Sequence, residues 1–165
     1  MERMEEYMEG TENKAKRYVM GIDTEKEEAY SFVELEKIVA ALRSENGCPW
    51  DKSQTYESMK KCLANETEEV FQAIDNQDMD NLCEELGDVL LQVMLNSQIA
   101  RERGDFTIDD VIDGLCRKMI RRHPHVFGEL EAITPEEGLK LWNQMKAREK
   151  AEKSRPFLKE FPEYP

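Results

Sequence analysis

The stretch NETEEVFQAIDNQDMDNLCEELGDVLLQVMLNSQIA, residues 65–100, repeats its apolar side chains at helical spacing, without the two-residue alternation of a strand. At about 100° per residue, Met59, Cys62, Leu63, Val70, Ala73 and Ile74 form one stripe of a helix from about Thr55 to Ile74. Glu66 lies in the middle of that stripe and Glu69 at its edge, whereas Glu68 and Asp75 lie opposite, where a solvated face belongs. The next helix, from about Met79 to Arg103 and stopped at Gly104, is apolar almost all the way round through Leu86, Val89, Leu90, Leu91, Val93, Met94, Leu95 and Ile99. Such a helix is expected to be surrounded by protein, in the centre of a bundle or at a subunit contact. One polar strip interrupts it: Glu85, Asp88, Gln92 and Asn96, at spacings of three, four and four.

Further helices follow on either side. Ser31 and Glu34 form a capping box that opens a helix burying Phe32, Leu35, Ile38, Val39 and Leu42. Gly47 and Pro49 break it in ENGCPWDKSQ. A fourth helix starts at Thr107 and ends before Pro124, since the residue preceding a proline avoids helical geometry. Thr134-Pro135-Glu136-Glu137 combines an N-cap, a proline at the first helical position and an acid at the third, and opens a fifth helix to about Lys150. The expected fold is therefore all-α, a bundle of about five helices with short loops. Residues 1–30 read as an N-terminal extension, either an extra helix or a mobile arm; residues 31–153 form the helical domain, and residues 154–165 an irregular, proline-rich tail.

With 165 residues, the chain suffices for one domain with a core. Its formal net charge of −13 repels nucleic-acid backbones and anionic membranes, so neither is expected as a partner. A small phosphorylated substrate remains compatible, because a bound metal or a local cationic cluster reverses the field inside a cleft. No apolar run reaches the length of a membrane span, and the acidic start MERMEEYMEG lacks the apolar stretch of a signal peptide. Cys48, Cys62, Cys83 and Cys116 are scattered without a C-x-x-C pair, which fits reduced thiols and a cytoplasmic location.

Acids three residues apart are common on exposed helix faces. Here two such pairs, Glu66/Glu69 and Glu85/Asp88, point inward on adjacent helices with no basic residue on either strip. Buried carboxylates are costly unless something positive neutralises them. Four hard oxygen ligands without cysteine or histidine favour Mg²⁺ or Mn²⁺ over zinc or copper. A di-iron bundle would use Glu-x-x-His on two helices, and the only histidines, His123 and His125, lie after the fourth helix.

Taken in order, NGCPWDKSQT, NETEEV, EELGDVLLQV, KMIRRHPHVFG and LWNQMKAREK resemble the MazG-type nucleoside triphosphate pyrophosphohydrolases, over roughly Phe32 to Lys150. The family signature, ExxE followed after a spacer by ExxD, falls on Glu66, Glu69, Glu85 and Asp88. The resemblance implies an all-α dimer or higher homo-oligomer that uses Mg²⁺ to cut nucleoside triphosphates between the α and β phosphates. It departs at Asn65, where family members commonly carry a glutamate beside the one corresponding to Glu66. The resemblance also implies that Lys118 and Arg122, four residues apart, bind phosphate, with Arg121 the nearest competitor. It places Trp142 and Lys146 near the nucleotide. In the GCPWD loop, Trp50 is a candidate to pack over a base and Lys52 to meet a phosphate. Plainer roles stand beside these: a helix C-terminal charge for Lys118 and Arg122, packing against Leu139 for Trp142, and loop anchoring for Trp50. Gln92 is either a support for the metal ligands or a packing amide. Two other classes stay open, a related all-α pyrophosphohydrolase of narrower substrate range and a non-enzymatic helical oligomerisation module.

Overall fold

The computed structural model describes residues 18–19 and 21–153. The remainder of the extension and the tail 154–165, expected to be irregular, lie outside the described residues. Among the described residues are seven helices and one two-stranded hairpin, grouped into two compact units that divide after Ile108.

The first unit opens with strands β1 (Tyr18–Val19) and β2 (Ile22–Asp23), paired antiparallel with Val19 opposite Ile22. Gly21, at φ 79°, supplies the left-handed residue that this tight reversal requires. This part of the extension is thus a hairpin, where the sequence reading expected a helix or an arm. Tyr30 Oη donates to the Asp23 carbonyl at 2.8 Å, and Lys26 pairs with Glu34 at 2.8 Å, tying the segment to the next helix.

Helix α1 (Phe32–Arg43) carries the expected capping box: Ser31 accepts from the Glu34 amide, and Glu34 accepts from the Ser31 amide. Val39 is fully buried and Leu35 packs on the core, but Phe32 stays exposed because the core begins a turn further along the helix. The GCPWD stretch is not all loop; Pro49 starts a short helix, α2 (Pro49–Ser53). Gly47 lets the chain double back there, since a Cβ would collide with the carbonyl oxygens of Leu42 and Ala41.

Helices α3 (Tyr56–Asp75) and α4 (Met79–Arg103) form a helical hairpin across a link of three residues, with Gln77 at φ 55°. Thr55 caps α3, Asp78 caps α4, and Gly104 at φ 74° ends α4 as expected. The core, Val39, Met59, Met94, Leu95, Ile99 and Ile108, joins the start of α3 to the end of α4. Away from it, Leu63 and Phe71 on α3 and Leu86, Leu90 and Val93 on α4 remain exposed. Within one chain, therefore, the first turns of α4 are covered on one side only, whereas residues 94–100 are enclosed almost all the way round, as the apolar pattern there predicts.

The second unit comprises α5 (Ile108–Arg122), whose first residue still belongs to the first unit's core, α6 (Pro124–Phe127) and α7 (Pro135–Lys153). The residues after Pro124, expected as loop, form the single turn α6. The Thr134 cap is reciprocal: its hydroxyl accepts from the Glu137 amide, and Glu137 accepts from the Thr134 and Ile133 amides.

One ion pair outside the core helps hold the first unit together. The Arg43 side chain is 6% exposed and grips Glu102 with two bonds of 2.9 and 2.8 Å. It also donates to the carbonyls of Asp51 and Gln54, fastening α2 to α1. Arg43→Met is expected to lower the unfolding free energy by about 1–3 kcal/mol, because the partly buried Asp51 and Gln54 carbonyls and Glu102 lose a charged donor. Urea denaturation followed by circular dichroism checks it.

Candidate functional site

In the first unit, Glu66 of the α3 pair faces both members of the α4 pair across the hairpin, whereas Glu69, expected to point inward as well, is exposed. Glu66, Glu85 and Asp88 each bring one carboxylate oxygen within 4.8 Å of the others. Glu85 is buried, Glu66 and Asp88 are half-buried, and Glu69 is exposed. Glu69 stands outside that trio but within hydrogen-bonding reach of the Glu85 carboxyl.

The electrostatics follow from this crowding. Burial pushes the Glu85 carboxyl above its ordinary range, and the charge of Glu69, a hydrogen bond shared with it, and the charge of Asp88 push further. Glu66 is raised by burial and then by Glu69 and Asp88. Glu85 Oε2 is buried with no hydrogen-bond donor, and so is Gln92 Oε1 two turns along α4. The Asn96 amide donates instead to the Gln92 backbone carbonyl at 2.7 Å. Several oxygens, inward-facing and short of donors, make a set of hard ligands that a divalent cation would satisfy. Asn65, where an acid was expected from the resemblance, is exposed on α3.

In the GCPWD region, Trp50 is 57% exposed. This leaves its ring available to a ligand and argues against a buried anchor. Lys52 Nζ donates to the Glu45 carbonyl at 2.6 Å, so it is presently tied to its own loop.

The second unit holds the cationic candidates. The Arg122 guanidinium lies over Trp142, 5.0 Å from the ring centre, and His123 meets the same ring at 5.0 Å. His123 Nδ1 donates to the Met119 carbonyl at 2.6 Å, and His125 Nδ1 is buried without a partner. Trp142 is thus packed mainly on Arg122 and His123, while Leu139 stays 62% exposed. Lys118 is half-buried and Lys146 exposed, and neither forms an ion pair among the described residues. Of the four predicted substrate residues in this unit, contact is made between Arg122 and Trp142. One participant was not foreseen: Glu149, bound by both Arg121 and Arg122. Its signal was present, an acid at position 149 on the face of α7 that already carries Trp142 and Lys146, at spacings of four and three.

An all-α protein whose hairpin of long helices encloses a carboxylate cluster is the class these features define. The sequence profile of the MazG nucleotide pyrophosphohydrolase domain matches residues 54–127. A solved structure described as a mazG-related protein from Thermotoga maritima superposes with a TM-score of 0.57 at 34% identity, covering 68% of this chain and 96% of that one. A nucleoside triphosphate pyrophosphohydrolase/pyrophosphatase MazG of Thermotoga maritima is 52% identical over 128 residues, 78% of this chain and 49% of that protein. A nucleoside triphosphate pyrophosphohydrolase of Escherichia coli is 44% identical over 118 residues, 71% of this chain and 45% of that protein. The chain belongs to the MazG family. It spans about half the length of these two curated relatives.

The raised carboxyls make a stability prediction with a definite sign. A carboxyl whose folded pKa lies above its unfolded one favours the fold when protonated. The penalty is therefore absent below the ordinary carboxylate range, grows as pH rises from there, and is complete above the raised values. In chelator, wild type is expected to lose stability over that interval while Glu85→Gln loses less and melts higher at neutral pH. Thermal melts from pH 4 to 8 read this directly, and a lower melting temperature for Glu85→Gln throughout would contradict it.

Proposed function

We propose that the chain hydrolyses nucleoside triphosphates to the monophosphate and pyrophosphate, using a divalent cation held by Glu66, Glu69, Glu85 and Asp88. The observation that carries this reading is the trio of inward carboxylates with an orphaned Glu85 oxygen. The donor set is all oxygen, which fits Mg²⁺ or Mn²⁺ and not a thiol- or imidazole-seeking metal. When bound, such a cation neutralises phosphate oxygens and lowers the pKa of a coordinated water. Glu66, Glu85 and Asp88, whose oxygens lie closest together, would hold the ion with Glu69 completing the set. Glu69, the one of the four that is open to solvent, would also orient the attacking water and take its proton. Water adds to the α-phosphorus, the bond to the bridging oxygen breaks, and pyrophosphate leaves with the negative charge. Lys118, Arg122 and Lys146 meet the phosphates, while Trp142 and the exposed Trp50 contribute aromatic surface, with Lys52 exchanging its loop carbonyl for a phosphate oxygen. The names of the relatives support the reaction class; base and sugar preference belong to the same proposal, with a broad triphosphate range.

The exposed apolar residues of α3 and α4, Leu63, Phe71, Leu86, Leu90 and Val93, support assembly as a homodimer or larger homo-oligomer. Among the described residues no helix is long and apolar enough to cross a membrane, and all four cysteines are free thiols. Both fit a cytoplasmic role, with nucleic acid and membrane absent from its partners.

Pyrophosphate and monophosphate are expected from a nucleoside triphosphate mixture with Mg²⁺ and not with chelator. Glu69→Ala and Asp88→Ala are expected to abolish turnover with the helical content intact. Full activity in either variant would remove the carboxylate centre from the reaction. Silence from wild type, together with a melting temperature indifferent to Mg²⁺, would favour a helical interaction module that catalyses nothing.

A further inference from the structure

Arg122 is not a free cation waiting for substrate. Its Nη2 donates to Glu149 Oε2 at 2.6 Å, and its Nε lies 3.2 Å from both Glu149 oxygens. One edge of the planar guanidinium is thereby taken, in the paired geometry that suits arginine and carboxylate. The other edge, with Nη1, carries no hydrogen bond among the described residues. The plane is further fixed by Trp142, which it overlies. Glu149 is well buried, with a side chain 12% exposed against 16% for Arg122, so solvent does little to loosen the pair. Arg121 adds a second ion pair to Glu149, at 2.7 Å. Two arginines on one carboxylate hold it ionised, down to about 2 with Arg122 the larger cause, and leave a net positive charge where a phosphate would arrive.

We propose that Glu149 is a positioning residue: by gripping the Nε–Nη2 edge of Arg122 over Trp142, it presents the opposite edge to a phosphate of the nucleotide. This rests on the reading that the chain binds nucleoside triphosphates. Arginine has five donors in a rigid fork, so one edge can be spent on orientation while the other binds the ligand. An unheld arginine side chain on the last turn of α5 would lose rotamer freedom on binding, and prior fixation removes that cost. Sequence spacing supports the division of labour, since Trp142, Lys146 and Glu149 line one face of α7 and Lys118 lies one turn before Arg122 on α5.

The test compares Glu149→Ala and Glu149→Gln, alone and with Arg122→Ala, in the full chain with Mg²⁺. Steady-state pyrophosphate release gives KM and kcat, and calorimetry with inorganic tripolyphosphate gives Kd. Glu149→Ala is expected to raise KM and Kd about tenfold, the scale of one charged hydrogen-bonding donor lost, with kcat within about twofold. Glu149→Gln, which keeps an acceptor oxygen, is expected to recover part of the loss. In the Arg122→Ala background, Glu149→Ala should add nothing, because it acts through that arginine. If Glu149→Ala loses helicity, Glu149→Gln decides the matter: its KM must rise, and its effect must vanish without Arg122.

An unchanged KM, or the same rise in the Arg122→Ala background, overturns the proposal. A lowered KM overturns it too, by showing the carboxylate competing with phosphate. Tripolyphosphate binding without any nucleotide cleavage would sink the hydrolase reading alone, leaving Glu149 to be judged on Kd. Neither binding nor cleavage by wild type would sink both.

Discussion

The repulsion among carboxylates gathered between α3 and α4 is the constraint around which the first unit is arranged. Glu66, Glu85 and Asp88 bring oxygens within 4.8 Å of one another, and Glu85 is buried. Like charges at that range in a partly desolvated hairpin oppose closure. The Glu66 and Glu85 carboxyls therefore lean toward protonation, Glu85 by burial first and then by the charge of Glu69. A hairpin that brought only these groups together would open. It stays closed because stabilisation is concentrated elsewhere along the same two helices.

That stabilisation sits toward the end of the hairpin remote from its link. Met59 at the start of α3 packs with Met94, Leu95 and Ile99 near the end of α4, and α1 adds Val39. Arg43 fastens α1, α2 and the last turn of α4 through Glu102, and Arg101 pairs with Glu36 at 2.7 Å. The acids thus lie closer to the link than the main core does, where fewer apolar contacts oppose a local opening. The exposed apolar residues of α3 and α4 flank the same region. Covering them would confine the carboxylates further and strengthen every electrostatic interaction among them.

The helices were legible because their ends carry chemistry in the sequence. Ser31 with Glu34, Gly104, and Thr134 with Glu137 all bound elements where their residue types require. Glu66, Glu85 and Asp88 were legible by angle, since inward carboxylates violate the amphipathic pattern. Other features were not. The turn around Gly21 pairs only two residues on each side, too few to leave a periodic signal. Phe32 follows the apolar stripe yet lies beyond the core that its helix meets, a fact of tertiary placement and not of spacing. Glu69 belongs to the acidic signature but stands outside the closest trio, because one helical turn along α3 carries it toward solvent. Glu149 looked like one more acid in a charged helix, since its meaning depends on two arginines from another element.

Glu85 and Glu149 show what the surroundings make of one side chain. Each is largely withdrawn from water. Around Glu85 stand other carboxylates, and its Oε2 finds no donor, so its pKa rises and its charge is left without compensation among the described residues. Around Glu149 stand Arg121 and Arg122, so its pKa falls to about 2 and the chain itself supplies the neutralising charge. The unsatisfied acid is the one suited to recruiting an ion. The satisfied acid is suited to fixing a neighbour, because a carboxylate already compensated can hold an arginine still without competing for what arrives next. In a chain with a net charge of −13, a phosphate is accepted only where such local compensation overcomes the general repulsion. Residue identity therefore assigns neither role. The charges placed within a few ångströms by separate helices do, which is why the two sites depend on the fold and not on the acids alone.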